Sequence, residues 1–137
     1  GIIMHINGGC HCGNISYQAD VDSNNVVICH CTDCQIISGA PYRTTLYTSE
    51  NDFTLNSGTL KTYIKTAESG NLREQNFCPE CGSQIYATSV GDTNRSFGIR
   101  VGTINQRDQL IPKTQYFCDS AQSWVQDLSS MKKIGKE

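Results

Sequence analysis

Seven of the eight cysteines in this 137-residue chain fall into three short groups: Cys10-His11-Cys12, Cys29-His30-Cys31-Thr32-Asp33-Cys34 and Cys78-Pro79-Glu80-Cys81. Intervals of one or two residues converge thiolates on a metal ion rather than pairing them across long loops. The spacing therefore argues against a disulfide framework and for a reducing, cytoplasmic setting. Neither two-cysteine group fills a tetrahedral shell alone. Cys10 and Cys12 combined with Cys78 and Cys81 would make a closed four-thiolate centre; zinc is the expected ion, with iron in the same geometry and redox or inert thiols as alternatives. Cys29, Cys31 and Cys34 supply only three directions, leaving the fourth for water, a substrate thiolate or a further protein ligand. The expectation is two Zn2+ per chain, one structural and one at a catalytic position.

A chain of this length with 37% hydrophobic residues can bury one modest core, so residues 1–137 are expected to form a single zinc-binding domain whose metals add to a limited core. No basic segment leads into a long apolar run and no 18-residue apolar stretch occurs, so neither a signal peptide nor a membrane span is expected. The formal charge is -2, and loading seven thiolates with two Zn2+ makes it more negative still, which disfavours nucleic acid and acidic membranes as partners. Lys132, Lys133 and Lys136 read as a solvated tail.

The pattern between the cysteines is mainly β. Ile15, Tyr17 and Ala19 alternate after the first group, and Val26-Val27-Ile28 feeds the three-cysteine group, with a turn expected near Asn24-Asn25. Ile36-Ile37 suggests a short helical turn, stopped by Ser38-Gly39-Ala40-Pro41. Short strands are expected at 44–47, 53–55, 60–64 and 85–87, and through Phe97, Ile99 and Val101, with an exposed turn at 68–71. Arg100 points to the opposite face from those three and reads as solvated. Near the C-terminus, Asp119 or Ser120 can begin a short helix with Trp124 and Leu128 on one face, where Trp124 would pack in the core or as a lid.

Several single residues carry two readings. Cys118 is a further metal ligand or an isolated core cysteine. His11 and His30 serve as spacers or packing residues, although His30 could relay a proton if its ring turned toward the site; His5 has no local constellation. Asp33 bonds nearby backbone or tunes the three-cysteine group, or is simply solvated, and Glu80 reads as exposed. Arg43, Lys61, Arg73 and Arg95 read as surface charge unless some of them converge on an acidic thiol.

Gly9-Cys10-His11-Cys12-Gly13, then Tyr17, then His30-Cys31-Thr32-Asp33-Cys34 with Ser38-Gly39, and Phe77-Cys78-Pro79-Glu80-Cys81-Gly82 together resemble the glutathione-dependent formaldehyde-activating enzyme family, also called centromere protein V-like, from about residue 6 to about residue 125. The resemblance implies a mainly β fold of the Mss4-like, or β-tent, type. It implies structural zinc on Cys10, Cys12, Cys78 and Cys81, and zinc at the catalytic position on Cys29, Cys31 and Cys34. The implied activity is that of a carbon-sulfur lyase on a small thiol adduct, joining glutathione and formaldehyde as S-(hydroxymethyl)glutathione. Where the family often has a histidine after its C-terminal proline, this chain has Pro112-Lys113-Thr114-Gln115. The alternative to an enzyme is a noncatalytic zinc-binding protein or ligand-recognition module, which a fourth protein ligand at the second site would favour.

Overall fold

The computed structural model describes residues 3–137; Gly1 and Ile2, the first two residues of the expected domain, lie outside it. Ten strands and one short helix follow one another as β1 Ile3–Gly9, β2 Ser16–Asp22, β3 Val26–Cys29, α1 Thr32–Ser38, β4 Arg43–Ser49, β5 Phe53–Ser57, β6 Lys61–Thr66, β7 Leu72–Phe77, β8 Gln84–Ser89, β9 Ser96–Arg100 and β10 Thr114–Tyr116. They form a three-stranded sheet, β1-β2-β5, and a seven-stranded sheet ordered β10-β3-β4-β9-β8-β7-β6. All pairings are antiparallel except β10 with β3.

Alternation along the strands divides the residues between two environments. On β2, Tyr17, Ala19 and Val21 turn inward, and on the larger sheet Leu46 of β4 sits opposite Ile99 of β9, both fully buried. With Ile6, Ile15 and Val26 these make one core shared by the two sheets. An aromatic chain stitches the layers: Tyr17 stacks on Phe53 at 5.2 Å, Phe53 meets Phe97 edge-on, and Phe97 stacks on Tyr86 at 4.0 Å. The opposite face of the large sheet carries Arg43, Thr45 and Tyr47 from β4, Gly98 and Arg100 from β9, and Arg73 and Gln75 from β7. These line a cavity rather than open solvent.

Several expectations need correction. The helical turn is longer than Ile36-Ile37: α1 begins at Thr32, because Cys31 acts as its N-cap, its Sγ accepting from the Cys34 N–H at 3.3 Å. It ends as expected at Gly39, whose φ of 65° only glycine adopts cheaply. Val101 does not continue β9 but opens a 3-10 turn. No α-helix follows Ser120: residues Cys118–Ser120 form a 3-10 turn, and Trp124 and Leu128 are 45% and 53% exposed. Polar side chains there compete for the backbone, with Asp127 accepting from both the backbone N–H and the hydroxyl of Ser129. Strands β1, β7 and β10 had no sequence forecast, because His5, Glu74 and Gln115 interrupt any apolar run and partners far along the chain supply their hydrogen bonds.

Candidate metal centres and the cavity between strands and helix

The turn after β1 and the turn before β8 meet at the first cluster. The backbone bond from Gly13 N–H to Cys10 O closes one turn, and Gly82 N–H to Cys78 O closes the other. The Sγ atoms of Cys10, Cys12, Cys78 and Cys81 all lie within 4.8 Å of one another, with Cys10 to Cys12 at 3.5 Å and Cys12 to Cys78 at 3.8 Å. A tetrahedron with arms of about 2.3 Å has edges of about 3.8 Å, so this group matches the shell of a thiolate-bound metal. Donors converge on it as well. The Ile15 N–H points at Cys10 Sγ at 3.1 Å, and the Ser83 hydroxyl and backbone, acting with the Cys12 backbone, hold the Cys81 thiol down at about 5.

The second cluster forms where β3 ends and α1 begins. The Sγ atoms of Cys29, Cys31 and Cys34 again lie within 4.8 Å of one another. The proximity of Cys34 lowers the Cys29 thiol pKa, while that same contact, with burial, pushes Cys34 up. Crowded sulfurs of this kind share protons unless a cation neutralises them, which is the behaviour expected of a metal shell. Both clusters are therefore fit to coordinate a metal ion.

The surroundings of the two clusters differ. Cys29, Cys31 and Cys34 line the cavity of about 550 Å3 on the outer face of the large sheet, whereas none of the four cysteines of the first cluster does. Cys118 is exposed and belongs to neither cluster, so the readings of it as a core cysteine or as a fourth ligand both fail; its sulfur faces Gln115 O at 3.8 Å. His30 is buried behind the cavity wall, its Nε2 2.8 Å from Gln115 Oε1 and its ring edge-on to Tyr42. It is a packing residue and not a relay in the cavity. Gln115, on β10, thus anchors the loop between the cysteines.

Among the charged residues, Asp33 makes an ion pair with Lys65 at 3.0 Å across the cavity mouth. Lys61 and Glu80 are exposed, and His5 pairs with Asp20. Arg95 is held by Glu50 at 3.3 Å and Glu74 at 3.5 Å, away from the cavity. Two expectations are overturned. Arg43 is only 6% exposed, and Arg100, far from being solvated, reaches over the cavity floor to Thr45 Oγ1 at 2.9 Å. Strand alternation assigned Arg100 to the correct face, but nothing local to β9 shows that α1, the segment after β6 and residues 117–120 cover that face.

A mainly β protein with two candidate thiolate metal centres, one of them opening onto a cavity, is the class defined by these features. The model of the glutathione-dependent formaldehyde-activating enzyme family matches residues 5–120, and the chain belongs to that family. Membership and the two cysteine clusters support a lyase-type catalytic role in glutathione and formaldehyde chemistry. The crystal structure of a Rhodobacter sphaeroides protein is similar in fold, with a TM-score of 0.59 and 18% identity over 80% of this chain and 98% of that one. No curated protein matches the chain. Among the described residues, no helix is long and apolar enough to cross a membrane.

Proposed function

We propose that residues 1–137 act as one cytoplasmic zinc-binding domain of the Mss4-like, β-tent type, catalysing carbon-sulfur bond formation or cleavage on a small thiol adduct. The pair proposed is glutathione and formaldehyde, with S-(hydroxymethyl)glutathione as product. One observation carries the reading: the cluster with only three thiolates opens onto the cavity, while the four-thiolate cluster stands apart from it. Cys10, Cys12, Cys78 and Cys81 would hold a structural zinc, and Cys29, Cys31 and Cys34 a second zinc at the catalytic position.

Zinc on the three thiolates would supply a Lewis acid that keeps a substrate sulfur deprotonated at neutral pH. The substrate sulfur adds to the carbonyl carbon of formaldehyde; the carbonyl π bond breaks and its oxygen takes a proton. The chain's own residues hold the reactants and provide that proton. Ala87 and Gly98 leave room at the floor, since a Cβ on Gly98 would stand 2.9 Å from Thr45 Cγ2 and 3.2 Å from Tyr47 Cε1. The Tyr47 phenol borders this space. Burial raises its pKa against the opposing pull of Arg100 and Arg73, so it keeps its proton at neutral pH and is one donor on the cavity wall, beside the hydroxyls of Thr45 and Ser120. Holding both reactants in one pocket replaces an encounter in solution, the usual source of a large effective concentration.

The test is adduct formation followed for zinc-loaded wild type and Cys31→Ser, with metal content checked by native mass spectrometry. Saturable acceleration by wild type, lost with one metal in the variant, supports the assignment. Equal background rates from both proteins reject it.

A further inference from the structure

The cavity contains two guanidinium groups for which the described residues provide no carboxylate. Arg43 comes from β4 and Arg100 from β9, and both donate to a single neutral acceptor, Gln75 Oε1, at 3.3 Å from Arg43 Nη1 and 3.1 Å from Arg100 Nη2. Arg43 Nε and Nη2 are buried and have no hydrogen-bond partner. Burial, and after it the neighbouring Arg43, disfavour the charge on Arg100. A like-charge pair with unused donors in a poorly solvated place costs free energy that a folded chain normally relieves with an acidic side chain. Of the two carboxylates that line the cavity, Asp33 is engaged by Lys65, and Glu68 is exposed and forms no ion pair with either arginine. The three-cysteine cluster does not supply the balance either: with zinc it carries a single negative charge against two guanidiniums, and Arg73 lines the same cavity.

The arrangement is built for a planar anion. Guanidinium forks match carboxylate oxygens in two-point geometry, and a site already desolvated and fixed by Gln75 and Thr45 loses little order on binding one. Its position limits the ligand, because Arg43 is paired with Cys29 in the β3–β4 register. An anion on the pair would therefore share one cavity with a group at the thiolate cluster.

Resting on the reading of this cavity as the substrate site, we infer that Arg43 and Arg100, bridged by Gln75, form a carboxylate-binding subsite, so that one reactant carries a carboxylate near its reacting atom. That carboxylate belongs either to the thiol or to an aldehyde acid of the 2-oxo type. In the second case the preferred carbonyl compound is larger and more acidic than formaldehyde.

Calorimetric binding to the zinc-loaded full chain separates these sources without turnover, using glutathione, its diethyl ester and glyoxylate as probes. In Gln75→Glu the new carboxylate accepts from both guanidiniums and cancels one of their two charges from within. The inference expects a higher melting temperature without ligand and at least tenfold weaker binding of whichever carboxylate probe binds wild type. Arg43→Gln should lose a similar factor while leaving the free protein as stable as wild type or more so; a purely structural arginine would instead lower stability. Should Arg43→Gln fail to fold, Gln75→Glu, which keeps both arginines, decides. Wild-type affinity for glutathione but not for its diester places the carboxylate on the thiol, and arginine-dependent binding of glyoxylate places it on the aldehyde. The inference is overturned if the diester binds as well as glutathione while glyoxylate does not bind, if no probe binds wild type, or if Gln75→Glu leaves every affinity unchanged. Binding as expected without acceleration of adduct formation would refute the proposed reaction and leave the subsite standing.

Discussion

Replacing Cys12 and Cys81 together by serine should test the claim that one metal centre staples the fold while the other does not. Both positions are exposed, so the change removes one ligand from each arm of the first cluster with little loss of packing. The arms lie far apart in sequence, Cys12 and Cys78 being separated by 66 residues. A cross-link over such a span withdraws loop-closure entropy from the unfolded chain worth about 4 kcal/mol by the chain-entropy relation. The second cluster spans only the short run from Cys29 to Cys34, for which the same relation gives about 2 kcal/mol. With a urea slope of ~2 kcal/mol/M, removing the first centre should lower the unfolding midpoint by about 2 M, and Cys29→Ser/Cys31→Ser by about 1 M. The assay is urea unfolding of proteins prepared with saturating zinc, followed by the circular dichroism of the sheets. Equal shifts for the two double variants, or an unchanged midpoint for Cys12→Ser/Cys81→Ser, would refute the argument that sequence separation sets the contribution of each centre.

Other predictions concern the core and the cavity wall. Tyr17 is fully buried, and burial, opposed by its 2.7 Å bond to Thr103, raises its phenol to about 12. A folded value above the unfolded one of about 10 means that the native state holds the proton longer; this contribution is whole below about pH 10 and disappears as pH rises toward 12. Denaturation across that range should show a steeper alkaline loss for wild type than for Tyr17→Phe, and parallel profiles would contradict the assignment. Gly98→Ala should cost about 1–3 kcal/mol in urea unfolding, because the new methyl meets Thr45 and Tyr47 across adjacent strands, and should slow adduct formation by shrinking the floor of the cavity. Arg95→Ala leaves Glu50 and Glu74 without their shared cation and should cost about 2 kcal/mol, with two metals per chain retained in native mass spectra. Loss of a metal in that variant would show that the network does more than join β7 to the loop before β9.

Much of the chemistry was legible before any folding. Cysteine intervals of one and two residues constrain how few atoms separate the thiols, so the grouping of Cys29, Cys31 and Cys34, and the need of Cys10-Cys12 for a second pair, follow from local geometry. Strand alternation around Tyr17, Leu46 and Ile99 was readable for the same reason: a period of two is a property of the backbone. Non-local pairing was not readable. The parallel partnership of β10 with β3 joins residues 87 apart, as in Thr114 with Val27, and the polar sequence of β10 has no pattern of its own. The exposure of Trp124 and Cys118 depended likewise on whether anything packed over them. The character of the cavity depended on tertiary structure as well. Arg43, Arg73 and Arg100 look like ordinary surface charge along the chain, because alternation gives the face on which a side chain emerges and not what lies above it. Only the adjacency of β4, β9, β8 and β7 in one sheet, roofed by α1 and the returning C-terminal segment, places these cations beside three thiolates, since proximity between distant segments is set by strand order and packing.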